Sequence, residues 1–191
     1  METIRLATWI DAPVERCFLL SLNIDLHVAS TRSTRERVID GVMSGQIAEG
    51  QTVTFQARHF GLRLKHTSRI ETLRPYSYFR DVMVAGVFKH FEHDHHFAAM
   101  DDGTRMRDEI RFSSRWGPLA KLFARKRLIA LLIERNAVIK RVAESDEWRK
   151  YLDSETAGST TVPIVGETAG RWDRNVLRVP RQIVVPRPPN G

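Results

Sequence analysis

Two histidines and an aspartate carry the strongest chemical signal in this chain. The run Phe91-Glu-His93-Asp-His95-His-Phe97 is followed by Met106-Arg-Asp108-Glu-Ile110-Arg-Phe112. Both segments alternate, and strand side chains point to opposite faces in turn. Phe91, His93, His95 and Phe97 therefore share one face, and His90, Glu92, Asp94 and His96 the other. With Asp102-Gly103 as a two-residue hairpin turn, Phe97 would oppose Asp108, His95 would oppose Ile110 and His93 would oppose Phe112. An imidazole beside a carboxylate in an apolar wall can orient the polar end of a bound molecule. It can also act as an acid or base near neutrality, or ligate a zinc- or iron-type ion. Residues two apart on one strand reach a shared ion only with help from a neighbouring strand. The expectation is a hydrogen-bonded His–Asp pair lining a ligand cavity, with no metal and no cofactor.

Other elements must position this face. Glu2 to Ile10 alternates and reads as a strand, ended by Asp11-Ala-Pro13, where Asp can cap a helix and Pro suits its first turn. Val14, Cys17, Phe18 and Ser21 fall on one face of that helix, and a short second helix is expected near Ile24 to Ser30. Thr34 to Asp40 reads as a strand and Gly41 to Gly50 as a loop. From Gln51 to Phe112 the pattern is β throughout, with a hairpin tip at His59 to Leu62 and a stop at Arg74-Pro75. Beyond Ala85-Gly86, a bulged turn would set Phe79 opposite Phe91 and Asp81 opposite Lys89. One inner face would then hold Phe55, His59, His66, Phe79, Asp81, Phe91, His93, His95, Phe97 and Asp108, with Ile110 and Phe112 on the same wall. After Trp116-Gly117-Pro118, residues 119–152 carry a helical repeat of apolar residues long enough to cover a curved sheet. Lys121, Arg125, Lys126, Arg135 and Lys140 are expected on its other faces.

The chain has 191 residues, 42% of them hydrophobic, which suits one domain with a sizeable core. The net charge of +7 permits anionic partners. From Lys121 to Arg141 seven Lys or Arg face a single acid, Glu134, so the charge is concentrated late in the chain. These cations lack interleaved exposed aromatics, so no specific nucleic-acid binding is expected. A plain solvated basic face is the leading reading, with a weak contact to an anionic membrane surface through Lys121, Arg125, Lys126 and Arg127 as the alternative. The lone Cys17 permits no internal disulfide and suits a reducing cytoplasm. No signal peptide or apolar span is expected, and no phosphate loop or dinucleotide fingerprint occurs. No nucleophile can be identified, so no catalytic residue is assigned. Residues 153–191 hold five of the eight Pro and no apolar stripe, and a mostly disordered tail is expected there. Ile183-Val-Val185 reads as an incidental β-prone triplet within it.

A strand, one or two short helices, about six antiparallel strands and one long C-terminal helix follow the order of the helix-grip fold. The sequence resembles the START and Bet v 1-like superfamily, often called SRPBCC. More narrowly it is similar to a bacterial ligand-binding branch, some members of which are loosely labelled cell-division inhibitors. The resemblance rests on Ile10-Asp-Ala-Pro13-Val-Glu15-Arg-Cys-Phe18, Phe79-Arg-Asp81, Gly86-Val-Phe88, the His93 and His95 run, Thr104-Arg-Met106-Arg-Asp108 and Trp116-Gly-Pro118. It covers residues 1–152 and leaves out the tail. It implies an α+β fold, a curved antiparallel sheet of about seven strands wrapped around a long helix, with a deep apolar cavity between them. A small hydrophobic or amphipathic ligand, as in lipid binding, is the implied occupant. No single chemistry follows, because the superfamily holds carriers, receptors, polyketide cyclases and oxygenase domains. A cyclase- or dehydratase-like enzyme using a cavity histidine, and an interaction module working through the basic helix, are the alternatives.

Overall fold

Alternation in the first strand becomes burial: in β1 (Glu2–Ile10) the inward Ile4, Leu6, Thr8 and Ile10 are all buried. The computed structural model describes residues 1–59, 62–115, 117–153 and 183–184. After β1 come α1 (Val14–Leu22), α2 (Ile24–Ser30), β2 (Arg37–Gly41), β3 (Thr52–His59), β4 (Leu62–Arg74), β5 (Tyr78–Ala85), β6 (His90–Met100), β7 (Gly103–Ser113) and α3 (Pro118–Ala143). Strands β1 to β7 form one antiparallel sheet in the order β2-β3-β4-β5-β6-β7-β1. The α1 start departs from the expected cap. Pro13 itself holds the cap position, and the Asp11 backbone N–H donates to Glu144 Oε1 at 2.7 Å. Asn23 caps α2 by accepting from the Leu26 N–H at 2.9 Å.

Both hairpins that carry the chemistry differ in register from expectation. Met100 pairs with Gly103, so the turn residues are Asp101 and Asp102, not Asp102 and Gly103. Gly103 lies just past the turn because of what its backbone must do: φ is +139°, and a Cβ there would stand 2.3 Å from the Ile10 carbonyl oxygen. The shift is two residues, so every side chain keeps its face. His95 now opposes Asp108, His93 opposes Ile110, Phe91 opposes Phe112 and Phe97 opposes Met106. Before β6 the chain makes a longer connection than a bulged turn, and Asp81 opposes His93 while Phe79 opposes His95. That four-residue shift also preserves the face.

Helix α3 ends at Ala143, short of the expected Leu152. Ser145 adopts extended backbone and its hydroxyl accepts from the Glu147 N–H, opening a 3-10 turn at Asp146–Trp148 before α4 (Arg149–Leu152). The C-terminal half of α3 is anchored: Leu132, Arg135, Asn136, Ile139, Val142 and Ala143 are buried. Ile139, Val142 and Ala143 join a core with Ile10, Phe18, Phe79, Phe97 and Met106. A second core holds Ile4, Leu6, Ile110, Phe112 and Leu132. In the N-terminal half Leu119, Leu122 and Phe123 are exposed, while Ala124, Leu128 and Ile129 pack against the second core.

The outer face of the sheet is held by charge. Asp94 accepts from Arg80 Nε and Arg111 Nη2, each at 2.7 Å, and from the Tyr78 hydroxyl at 2.5 Å. Ile183–Val184 forms β8, a two-residue strand parallel to β1 beside Leu6 and Ala7, so this part of the triplet is not incidental. The rest of the expected disordered tail, 154–182 and 185–191, lies outside the described residues.

Candidate functional site

The long helix and the curved sheet leave space between them. That space is a cavity of about 1050 Å³ bounded by β3 to β7, α2 and α3. Phe55, His66, Asp81, Phe91, His93, His95 and Ile110 line it, as does the apolar side of α3 through Ala120, Ala124, Leu128, Leu131 and Leu132. Leu62 at the β3–β4 hairpin and Phe123 on α3 also line it while being 65% and 61% exposed, so the mouth opens between them. The remaining expected wall residues sit behind the surface. Phe79 and Phe97 pack edge-on against Phe18, and Phe79 stacks on His95 with ring centroids 4.0 Å apart. Phe112 belongs to the second core and Asp108 lies fully buried beneath the histidines. His59 closes β3, and its side chain lies outside the described residues.

Strand pairing explains how the polar groups meet. Asp81 and Asp108 come from the two strands flanking β6, one opposite His93 and the other opposite His95, so each carboxylate reaches both rings. His93 Nε2 is 2.9 Å from Asp108 Oδ1, and His95 Nε2 is 3.1 Å from Asp81 Oδ2. Across the other diagonal, His95 Nδ1 stands 2.9 Å from Asp108 Oδ1 but off the axis of a hydrogen bond, and His93 Nδ1 is 3.8 Å from Asp81 Oδ2. The second Asp108 oxygen accepts from Asn136 Nδ2 at 2.7 Å, and Asn136 also donates to the Thr8 hydroxyl at 3.1 Å. The second Asp81 oxygen accepts from Ser68 Oγ at 3.2 Å, and Ser68 in turn lies 3.0 Å from His66 Nε2.

Burial alone would raise both carboxyl pKa values. Hydrogen bonds from the histidines and the nearby imidazole charges outweigh it, holding Asp81 and Asp108 below the ordinary range and ionised at neutral pH. Burial and the neighbouring His95 push His93 below the usual imidazole value. The cluster thus joins two anions to two rings that can share a proton.

Arg135 departs from the expected basic face. It lies not on a solvated basic face but buried against the cavity, with Nη1 3.6 Å from Asp108 Oδ1, Nη1 donating to Asn136 Oδ1 at 3.2 Å and Nη2 to the Ser21 carbonyl at 3.4 Å. Its spacing held the clue: it follows Leu131 by four and Leu132 by three, and precedes Ile139 by four, so it belongs to the apolar stripe. Asn136 was missed likewise, and an amide within an apolar run gives no signal beyond its type. Asp81 both lines the wall and orients an imidazole, standing 3.1 Å from His95 and 3.8 Å from His93. Cys17 is a buried thiol whose pKa burial pushes up to about 11, which suits packing and not nucleophilic work.

Seven antiparallel strands curved about a long helix, with a cavity between them, define the START and Bet v 1-like helix-grip fold. Solved structures share it at low identity. Major latex-like protein 151 from Panax ginseng matches with a TM-score of 0.56 at 13% identity, over 75% of this chain and 98% of that one. The Zhui aromatase/cyclase from Streptomyces sp. R1128 matches with 0.55 at 17% identity, over 83% and 99%. The di-domain aromatase/cyclase StfQ from the steffimycin biosynthetic pathway matches with 0.61 at 12% identity, over 76% of this chain and 52% of that one. No family model matches the chain, and no curated protein is similar to it in sequence. What is shared is therefore the architecture. Among the described residues no helix is long and apolar enough to cross a membrane.

Proposed function

We propose that the protein binds one small hydrophobic or amphipathic molecule in the cavity beneath α3, in a reducing cytoplasm. The carrying observation is a space of about 1050 Å³ walled mainly by apolar side chains, with His, Asp and Arg groups gathered on one part of its floor. Apolar walls supply contact area and the few convergent polar groups orient one end of the ligand. Phe55, Phe91, Ile110 and Leu128 take the apolar body, and His66, Asp81, His93 and His95 face the polar end. Binding should be blocked from the helix side. Ala124→Trp fills the space without touching the polar cluster, and should weaken binding of the apolar dye anilinonaphthalenesulfonate at least about tenfold, or about 1.4 kcal/mol. Dye fluorescence titration checks it, with native mass spectrometry of protein from its host to identify the co-purifying molecule. Unchanged dye affinity in a folded variant would place binding elsewhere.

A second reading is acid–base catalysis of the cyclase or dehydratase type. It is favoured by two cavity-facing imidazoles each oriented by a carboxylate, His93 by the fully buried Asp108 and His95 by the partly buried Asp81.

The mouth bears on loading. Between Gly50 and Ile70, and between Ile110 and Ile133, no acid occurs. Exposed Leu62 and Phe123 lie among these cations, an arrangement suited to an anionic lipid surface. Glu2 engages Lys121 at 2.7 Å and approaches Arg125 at 3.7 Å, so the contact falls chiefly on Lys126 and Arg127. Co-sedimentation with phosphatidylserine vesicles should weaken with added salt and drop at least about tenfold in the double variant Lys126→Glu, Arg127→Glu, at roughly 1 kcal/mol per basic residue. Equal binding to neutral vesicles would exclude this electrostatic contact.

A further inference from the structure

The floor of the cavity has a feature that ligand orientation alone does not require. Each histidine turns one ring nitrogen to the same Asp108 oxygen, His93 Nε2 and His95 Nδ1 both at 2.9 Å. Each turns its other nitrogen toward a single oxygen of Asp81, His93 Nδ1 at 3.8 Å and His95 Nε2 at 3.1 Å. An ionised Asp108 can only accept, so a neutral His93 must carry its hydrogen on Nε2 and present a bare lone pair at Nδ1. That lone pair faces a carboxylate oxygen. Two acceptors aimed at each other are reconciled by a cation between them.

We propose that Asp81, His93 and His95 form a binding site for a first-row divalent transition ion of the zinc class. Their donor atoms all lie within 4.8 Å of one another, compact enough for one ion at ordinary bond lengths of about 2.0–2.2 Å after small side-chain movements. The neighbouring strand that two histidines on β6 need is β5, which brings Asp81 opposite His93. Two nitrogens and one carboxylate oxygen suit zinc or ferrous-type ions rather than calcium or magnesium, which prefer oxygen throughout. Three protein donors leave coordination positions open, and all three residues line the cavity, so those positions face the bound molecule or water.

The supporting shell is in place. Asp108 accepts from His93 Nε2, stands 2.9 Å from His95 Nδ1 and is itself held by Asn136, the kind of outer carboxylate that fixes ring orientation and strengthens metal-binding histidines. Ser68 holds the other oxygen of Asp81 at 3.2 Å, leaving its partner turned to the histidines. Charge agrees as well: the two carboxylates exceed the Arg135 guanidinium by one negative unit when both rings are neutral, and a divalent ion reverses that to one positive unit. A site of that charge takes an oxygen donor from the cavity's occupant, such as a carboxylate, enolate or carbonyl. This inference uses the same cavity as the proposed function, but the ion is read directly and without any organic ligand.

The test is cobalt titration of chelator-treated full-length protein, followed by the visible d–d bands of the bound ion. One equivalent is expected to bind and to be displaced by zinc but not by magnesium. His93→Gln and Asp81→Asn should each lose the bands. Asp108→Asn should weaken binding about 10- to 100-fold by releasing the rings. His90→Gln and His96→Gln, on the opposite face of β6, should bind as the parent does. Zinc should also raise the melting temperature of the unaltered protein, a readout that survives if a variant fails to fold. Absence of both the bands and the zinc-dependent rise overturns the proposal, as do bands that persist in folded His93→Gln. Bands lost equally in His96→Gln would mean adventitious surface binding and also overturn it. Dye binding that persists alongside any of these failures leaves the ligand-binding reading standing.

Discussion

Replacing Asp108 by Ala should lower unfolding free energy by about 3–5 kcal/mol, among the largest losses expected from a single substitution here. The carboxylate is fully buried and stands within hydrogen-bond distance of His93, His95 and Asn136, with Arg135 just beyond at 3.6 Å. Removing it takes the nearest carboxylate from the buried Arg135 guanidinium and an acceptor from both the Asn136 amide and His93, and opens a void in the core. The melting temperature should fall by on the order of 10 °C for a chain of this length. Thr8→Val deletes one hydrogen bond at the network's edge and should cost only about 1 kcal/mol. Urea unfolding at neutral pH compares the two. If Asp108→Ala were no worse than Thr8→Val, the buried cluster would not be the paired network described.

The same cluster should make stability fall in two stages as pH drops, measured with a chelator present. His66 and His93 sit below the ordinary imidazole value of 6.5, chiefly because burial disfavours their charged forms. The unfolded chain takes up protons on them below about pH 6.5 while the folded chain does not, so unfolding becomes easier as pH falls. Two such groups give a slope of up to about 2.7 kcal/mol per pH unit. Asp81 and Asp108 supply the second stage. Their folded pKa values lie under the reference of 3.8, so their stabilisation is complete above it and is lost as pH falls further. Urea midpoints from about pH 8 to about pH 3 should trace both steps, and His66→Gln should remove part of the first. A flat profile from about pH 6.5 to about pH 4.5 would mean that these histidines ionise freely in the folded chain.

The parts of this molecule legible in its sequence were those set by parity. Which residues of β6 and β7 share a face depends only on alternation, so a register wrong by two or by four still put His93, His95, Asp81 and Asp108 on the inner wall. Which residue opposes which depends on the turn, and there Asp102-Gly103 misled. Gly103 is needed for its positive φ and its approach to Ile10, not as a turn residue. At Arg135 residue type and spacing point to opposite faces, and the spacing decides. The end of α3 was lost because a run of apolar spacing passes through Ser145 while the backbone does not. Ile183–Val184 pairs with β1 through main-chain groups, which composition cannot reveal.

Helix α3 has its fully buried side chains between Leu132 and Ala143, while its first turns carry Leu119, Leu122 and Phe123 in solvent. The two roles, holding the fold and shaping the chamber's roof, overlap at Leu132 and Arg135, which are buried and also line the chamber, but part at the ends of the helix. Changes at Ala120 or Phe123 alter the volume and outline offered to a guest while the joints at Asn136, Ile139 and Val142 stay as they are. Selectivity in such a scaffold can drift, or be redesigned, at low risk to the framework that carries it.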